Sequence, residues 1–92
     1  MGRRNDLDIC ADILGVAQDG ARKTHIVYRA NLNFNVVKKY LGRLIENDLL
    51  IRTDDFHYVT TEKGVEFLKG YRELMAPNML LKAISEVHQD IS

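Results

Sequence analysis

Asn35, Lys39 and Arg43 follow one another at four-residue intervals, and these are side chains that read base edges. An arginine meets guanine and an asparagine meets adenine through two hydrogen bonds each, and a four-residue interval places all three on one face of a helix. They belong to a longer segment, Gly20 to Ile45, that contains Arg22, Lys23, Arg29, Lys38, Lys39 and Arg43 and no Asp or Glu. The chain of 92 residues is neutral overall, so its charges are segregated: residues 1–19 carry two bases against four acids, and residues 46–92 carry five against nine. Segregated charge creates a local positive field on a neutral molecule, and a polyanion such as double-stranded DNA is the partner that most directly uses it. Bases without acidic neighbours are also not arranged as helix-stabilising ion pairs.

A helix from Phe34 to about Asp48 divides this segment into two faces. Advancing 100° per residue, Phe34, Val37, Leu41, Leu44 and Ile45 form an apolar side, opposite Asn35, Lys39, Arg43 and Glu46, with Lys38 on the flank. Arg22, Lys23, Arg29 and Lys38 are then placed to hold phosphates. Thr24 and Asn33 read as helix N-caps whose side chains or neighbouring amides can also meet a phosphate, and His25 joins them. Gly42 leaves a bare patch among the outward polar groups; it is either a surface glycine or one that permits a close approach.

Other chemistries find little support. His25, His57 and His88 fall on separate elements, without metal-ligand spacing to another His, Cys or Glu. No nucleophile–base pair, glycine-rich phosphate loop or carboxylate pair stands out, so neither an enzyme nor a cofactor is expected. The aromatic residues read as core positions rather than as rings interleaved with bases, which disfavours a single-strand stacking platform. Cys10, the lone cysteine, reads as a buried structural thiol. No apolar run approaches the ~20 residues of a membrane span and the N-terminus lacks the apolar core of a secretory signal, so a cytoplasmic, nucleoid-associated protein is expected.

The elements that position these residues follow from caps and periodicity. Asn5 or Asp6 caps a first helix with Leu7, Cys10, Ile13, Leu14 and Ala17 on its apolar side, ended by Gly20. Thr24 caps a short second helix to Ala30, and Asn31-Leu32-Asn33 forms a tight corner into the third. Residues 49–60 read as a hairpin, with strands at Leu49–Thr53 and Phe56–Thr60 and a turn at Asp54-Asp55. Only Arg52 and His57 offer cationic contacts there; the acidic tip would repel phosphate, and reads by default as a simple solubilising turn. Thr61 caps a fourth helix with Val65, Leu68, Tyr71 or Arg72, and Met75 inward; Pro77 interrupts it. A last helix places Leu80, Ile84, Val87 and Ile91 on one seam, which needs a partner. The expected fold is thus mainly α with a small β-hairpin: a winged helix-turn-helix domain over residues 1–76, with a C-terminal helix over 77–92 as dimerisation element.

The string Lys23-Thr24-His25-Ile26-Val27-Tyr28-Arg29-Ala30-Asn31-Leu32-Asn33 and the start of the fourth helix, Tyr58-Val59-Thr60-Thr61-Glu62-Lys63-Gly64, resemble the small archaeal winged-helix DNA-binding proteins. The resemblance runs from the first helix to about Met75. It implies a homodimer joined by antiparallel C-terminal helices, with Leu80, Ile84, Val87 and Ile91 in the interface. Pro77 departs from the single long helix of that family, and overall neutrality departs from its basic chromatin packagers, which favours a transcriptional regulator. The alternatives are a winged-helix module that docks proteins without binding DNA, or a non-specific chromatin protein.

Overall fold

The computed structural model describes residues 5–54 and 56–75. In chain order these form α1 (Asp6–Val16), β1 (Ala21–Arg22), α2 (Lys23–Ala30), α3 (Phe34–Glu46), β2 (Leu50–Arg52) and β3 (His57–Thr60), followed by a helix over 62–75, here α4. Three strands make one antiparallel sheet in the order β1-β3-β2, with Ala21 opposite Tyr58, Arg22 opposite His57 and Ile51 opposite Val59. The expected mainly α fold with a hairpin is therefore present, with one strand more than the hairpin. β1 was unreadable because two residues cannot display an alternating pattern.

α1 begins in a reciprocal cap: the Asp8 amide donates to Asn5 Oδ1 at 2.8 Å and the Asn5 amide donates to Asp8 Oδ2 at 3.3 Å. Its buried side is Ile9, Ala11, Ile13 and Leu14, whereas Leu7, expected to point inward, is 44% exposed. The two acids of the first turn, favourable beside the helix N-terminus, also tie down other helices. Tyr40 of α3 donates to Asp6 Oδ1 at 2.6 Å, and Tyr71 of α4 donates to Asp8. Cys10 is half-buried, and burial, aided by the Asp6 carboxylate, pushes its thiol above the usual value, which suppresses the reactive thiolate.

The phenols of Tyr40 and Tyr71 are raised above their ordinary 10.0, first by the hydrogen bonds they donate to these carboxylates. A folded-state pKa raised above the unfolded one contributes stability that is complete below pH ~10 and lost as pH rises through the folded value. Thermal stability is therefore expected to fall above pH ~10, and Tyr40→Phe with Tyr71→Phe should flatten that alkaline limb; an unchanged limb in the double variant would remove these bonds from the account.

The far end of α1 meets the sheet. Thr60, the buried polar residue of the core, donates its hydroxyl to the Leu14 carbonyl at 2.7 Å and its amide to the Ala17 carbonyl at 3.0 Å. Both bonds fasten the C-terminal end of α1 to β3, and the Ala17 carbonyl also accepts the Gly20 amide at 3.0 Å. The expected cap of α2 is corrected. Thr24 lies inside the helix, and Arg22 occupies the N-cap position without a side-chain hydrogen bond. The first-turn amide of Lys23 instead donates to the Phe56 carbonyl at 2.9 Å, because β1 pairing brings the wing to the helix start. Asn31 ends α2 in the left-handed region (φ 56°), and Asn33 caps α3 by accepting from the Val36 amide at 2.9 Å, as the corner residues suggest.

α3 stops at Glu46 rather than Asp48. Asp48 has φ 63°, its amide reaches the Ile45 carbonyl at 3.0 Å, and the Leu49 amide reaches the Leu44 carbonyl at 2.9 Å. This pair of bonds closes a helix and turns the chain directly into β2. Val37, Leu41 and Leu44 are buried as expected, but Phe34 and Ile45 are 48% and 37% exposed. Thr61 starts α4: its hydroxyl donates to the Asp48 carbonyl at 2.6 Å and accepts from the Gly64 amide at 3.0 Å. Within α4 Leu68 is buried and Tyr71 is half-buried, while Arg72 and Met75 are exposed. Pro77 and the seam Leu80, Ile84, Val87 and Ile91 lie outside the described residues.

Candidate nucleic-acid interface

The core fixes which side of α3 faces outward. With Val37, Leu41 and Leu44 sealed inside, Asn35, Lys38, Lys39 and Arg43 are all exposed. Gly42 lies among them, and a Cβ added there would meet nothing within 4 Å, so no part of its own domain approaches it. Lys39 and Arg43 also line a groove of about 250 Å³ with Val36, Tyr40 and Asp6. The segment free of acids in sequence is therefore not free of them in space: α1 delivers Asp6 to the groove beside Lys39 and Arg43, held there by Tyr40. A carboxylate separated from its tyrosine partner by 34 positions of chain leaves no local signal.

A second group forms between α2 and the wing. Arg22, Thr24, His25 and His57 line one cleft of about 440 Å³ with Gly20, Ala21 and Tyr28, and none of the lining residues is acidic. β1 is what brings His57 here, since its pairing sets Arg22 opposite His57. Gly20, at φ 92°, makes the backbone turn into that strand. Arg52 is placed differently. It pairs with Tyr58, one residue out of step with His57, so the pleat sends Arg52 and His57 to opposite faces of the sheet.

The acidic tip of the wing also behaves differently from a simple repulsive turn. Asp54 Oδ1 accepts from the Phe56 amide at 3.0 Å and the His57 amide at 3.1 Å, and it lies 2.9 Å from His57 Nδ1. These bonds, that from Phe56 first and those with His57 next, hold the Asp54 carboxyl below its ordinary range. Asp54 thus orders the wing and fixes the ring of His57, leaving Nε2 as the nitrogen not held by Asp54.

Two expected phosphate contacts are separated from this cluster. Arg29 lines a groove of about 380 Å³ with Ala11, Asp12, Gly15 and Val16 of α1 and Leu68, Tyr71 and Arg72 of α4. Lys23 turns towards α3, where its ammonium lies 4.5 Å from the centre of the Phe34 ring. That cation–π contact lies on a Phe34 ring that is half-exposed. Asn33 spends its side-chain oxygen on the Val36 amide, so as a phosphate ligand it retains only its amide group. Among the described residues no group of three potential metal ligands comes together, and no helix is long and apolar enough to cross a membrane.

The fold is shared with known proteins. Over 73 residues the chain is 33% identical to the uncharacterized protein MJ0290 of Methanocaldococcus jannaschii; the match covers 78% of this chain and 34% of the relative, so the chain spans about a third of that protein's length. Among solved structures it is similar to Sso10a-2, a DNA-binding protein from Sulfolobus solfataricus, with a TM-score of 0.74 and 26% identity over 96% of both chains. It also shares its fold with a multiple antibiotic-resistance repressor (MarR) from Listeria monocytogenes, with a TM-score of 0.68 and 17% identity over 91% of this chain and 59% of the other. A family model described as winged helix-turn-helix matches residues 3–78, which takes in every element described above, so the chain belongs to the winged helix-turn-helix family.

Proposed function

We propose that the chain is a DNA-binding transcriptional regulator that places α3 in the major groove of duplex DNA and acts as a homodimer. The observation that carries this reading is the outward face of α3, on which Asn35, Lys39 and Arg43 are exposed together above a buried stripe of Val37, Leu41 and Leu44. Asn35, Lys39 and Arg43 address base edges. Lys38, Arg22 and Lys23 hold phosphates, with Thr24, His25 and His57 in the cleft beside them. Asn33 contributes its amide, and Arg52 and Arg29 are peripheral because they face other surfaces. The likeness to Sso10a-2, whose name declares it a DNA-binding protein, supports the same partner. The reading assigns the chain no catalytic role, no cofactor and a place at the nucleoid. Titration of labelled duplexes at rising salt tests it: affinity should fall steeply, by about one counterion per phosphate neutralised. Absence of duplex binding at micromolar protein and low salt would favour the protein-docking alternative.

The homodimer rests on the exit of α4. Leu74 and Met75 are 66% and 43% exposed there, and the sequence beyond them carries the apolar spacing of Leu80, Ile84, Val87 and Ile91. A short apolar helix is marginal in water without a partner, and a second copy supplies one. Sedimentation should show a dimer for the full chain and a monomer for one ending at Ala76; a monomeric full chain would refute the interface.

A further inference from the structure

The groove that Arg29 lines draws its residues from α1, α2 and α4, and none from α3 or the sheet. Ala11 and Leu68, both buried, and the half-buried Val16 give it apolar surface. Tyr71 brings its ring, since its hydroxyl already donates to Asp8. Three charged side chains line the same groove: Asp12 of α1, Arg29 of α2 and Arg72 of α4. Gly15 lies beside one of them, because a Cβ built there would meet Arg72 Nη2 at 3.9 Å. That is ordinary contact, so no clash demands a glycine at this helical position, where alanine would be better by ~1 kcal/mol. What the glycine leaves is open space next to the Arg72 guanidinium.

From two guanidiniums, one carboxylate and an apolar lining in a single groove of about 380 Å³ we infer that the domain binds a free α-amino acid with an apolar side chain. Its carboxylate meets Arg29 and Arg72, its ammonium meets Asp12, and its side chain covers Ala11, Val16 and Leu68. The charge pattern selects the zwitterion. Two cations against one anion leave a positive surplus that attracts a carboxylate, and a planar guanidinium matches the two oxygens of that group. A doubly charged phosphate ester would bring its charge up to the Asp12 carboxylate, which opposes it, whereas an ammonium in the same molecule makes Asp12 a partner. Asp12 is already engaged within the domain. A carboxylate has about four acceptor sites, so it keeps that interaction and takes an ammonium as well. A concave volume of this size, with apolar surface and a few convergent polar groups, is the form of a small-molecule site. The inference does not rest on the DNA reading, because no residue of the α3 face lines the groove.

The test is isothermal titration calorimetry of the full chain, without DNA, against L-leucine and three molecules that each lack one part of it: isocaproate the ammonium, isoamylamine the carboxylate, glycine the side chain. L-leucine should bind at millimolar concentration or below. Each of the others should bind about tenfold more weakly, since each leaves one part of the groove unmatched. Gly15→Leu should fill the space next to Arg72 and abolish the heat of binding, while leucine's helix preference preserves α1 and the melting temperature. Arg29→Gln and Arg72→Gln should each weaken binding about tenfold. Asp12→Asn should erase the preference for L-leucine over isocaproate. These three side chains are exposed, so should Gly15→Leu disturb the fold, they decide. Lys39→Ala with Arg43→Ala should bind L-leucine like the parent chain, which separates failure here from failure of the α3 reading. No binding of L-leucine at millimolar concentration, isocaproate bound as tightly as L-leucine, or a folded Gly15→Leu chain that binds like the parent overturns the inference.

Discussion

Gly64→Ala is expected to destabilise the domain by about 3 kcal/mol and to lower its melting temperature by more than ~10 °C. A Cβ at Gly64 would stand 2.2 Å from the Leu49 carbonyl oxygen and 2.5 Å from Thr60 Cγ2, closer than real atoms approach. Neither neighbour is free to retreat. The Leu49 carbonyl accepts the Thr61 amide at 3.0 Å, and Thr60 is anchored by its hydroxyl to Leu14 and by its amide to Ala17. The first turn of α4 must shift, and with it the position of Leu68 against the core. Alanine's greater helix preference returns only ~1 kcal/mol. The loss is a large fraction of the ~5–14 kcal/mol that holds a domain of this size together. Gly42→Ala makes the opposite case: nothing lies within 4 Å of the added methyl in α3, so the same substitution should stabilise by ~1 kcal/mol. Thermal melts of the two variants check both signs. A Gly64→Ala protein that melts with the parent would mean that α4 does not start against Leu49 as described.

Lys39→Ala combined with Arg43→Ala is expected to abolish discrimination between a preferred duplex and a scrambled one. Each well-made contact to a base edge discriminates by about 1–3 kcal/mol, so two together are worth roughly 30-fold to 25,000-fold. Lys38→Ala should instead weaken all duplexes alike and reduce the salt slope by about one, as loss of a phosphate contact does. All three side chains are exposed, so stability should change by no more than about 0.5 kcal/mol. Competition titrations after selection of preferred duplexes from a random pool measure these quantities. Unchanged affinity of the double variant for the best duplex would remove base reading from α3. On the proposed reading, a carboxylate fixed beside Lys39 and Arg43 would disfavour a phosphate there and favour a base edge with an amino group, such as cytosine.

What the sequence determined by itself was whatever local periodicity and caps can express. Val37, Leu41 and Leu44 repeat with the helical period and are buried, which orients Asn35, Lys39 and Arg43 outward without reference to the rest of the chain. Asn31 and Asn33 set the corner between α2 and α3 through a left-handed turn and an N-cap, both properties of single residues. Thr61 and Gly64 were legible as the start of a helix, though the reason a glycine stands there, the Leu49 carbonyl, was not. The tertiary structure decided what depends on contacts between distant segments. Two residues of β1 redirected the start of α2 from Thr24 to Arg22 and carried His57 to the cleft, because strand pairing supplied the amide partner that a cap would otherwise provide. Phe34, Phe56 and Tyr28, apolar enough to be expected inside, remained outside because a core this small is already filled by Ile13, Leu14, Ile26, Leu50 and Leu68. Likewise Asp6 came beside Lys39 and Arg43 only through folding, since a charge pattern along the chain records neighbours in sequence and the field at a surface sums neighbours in space.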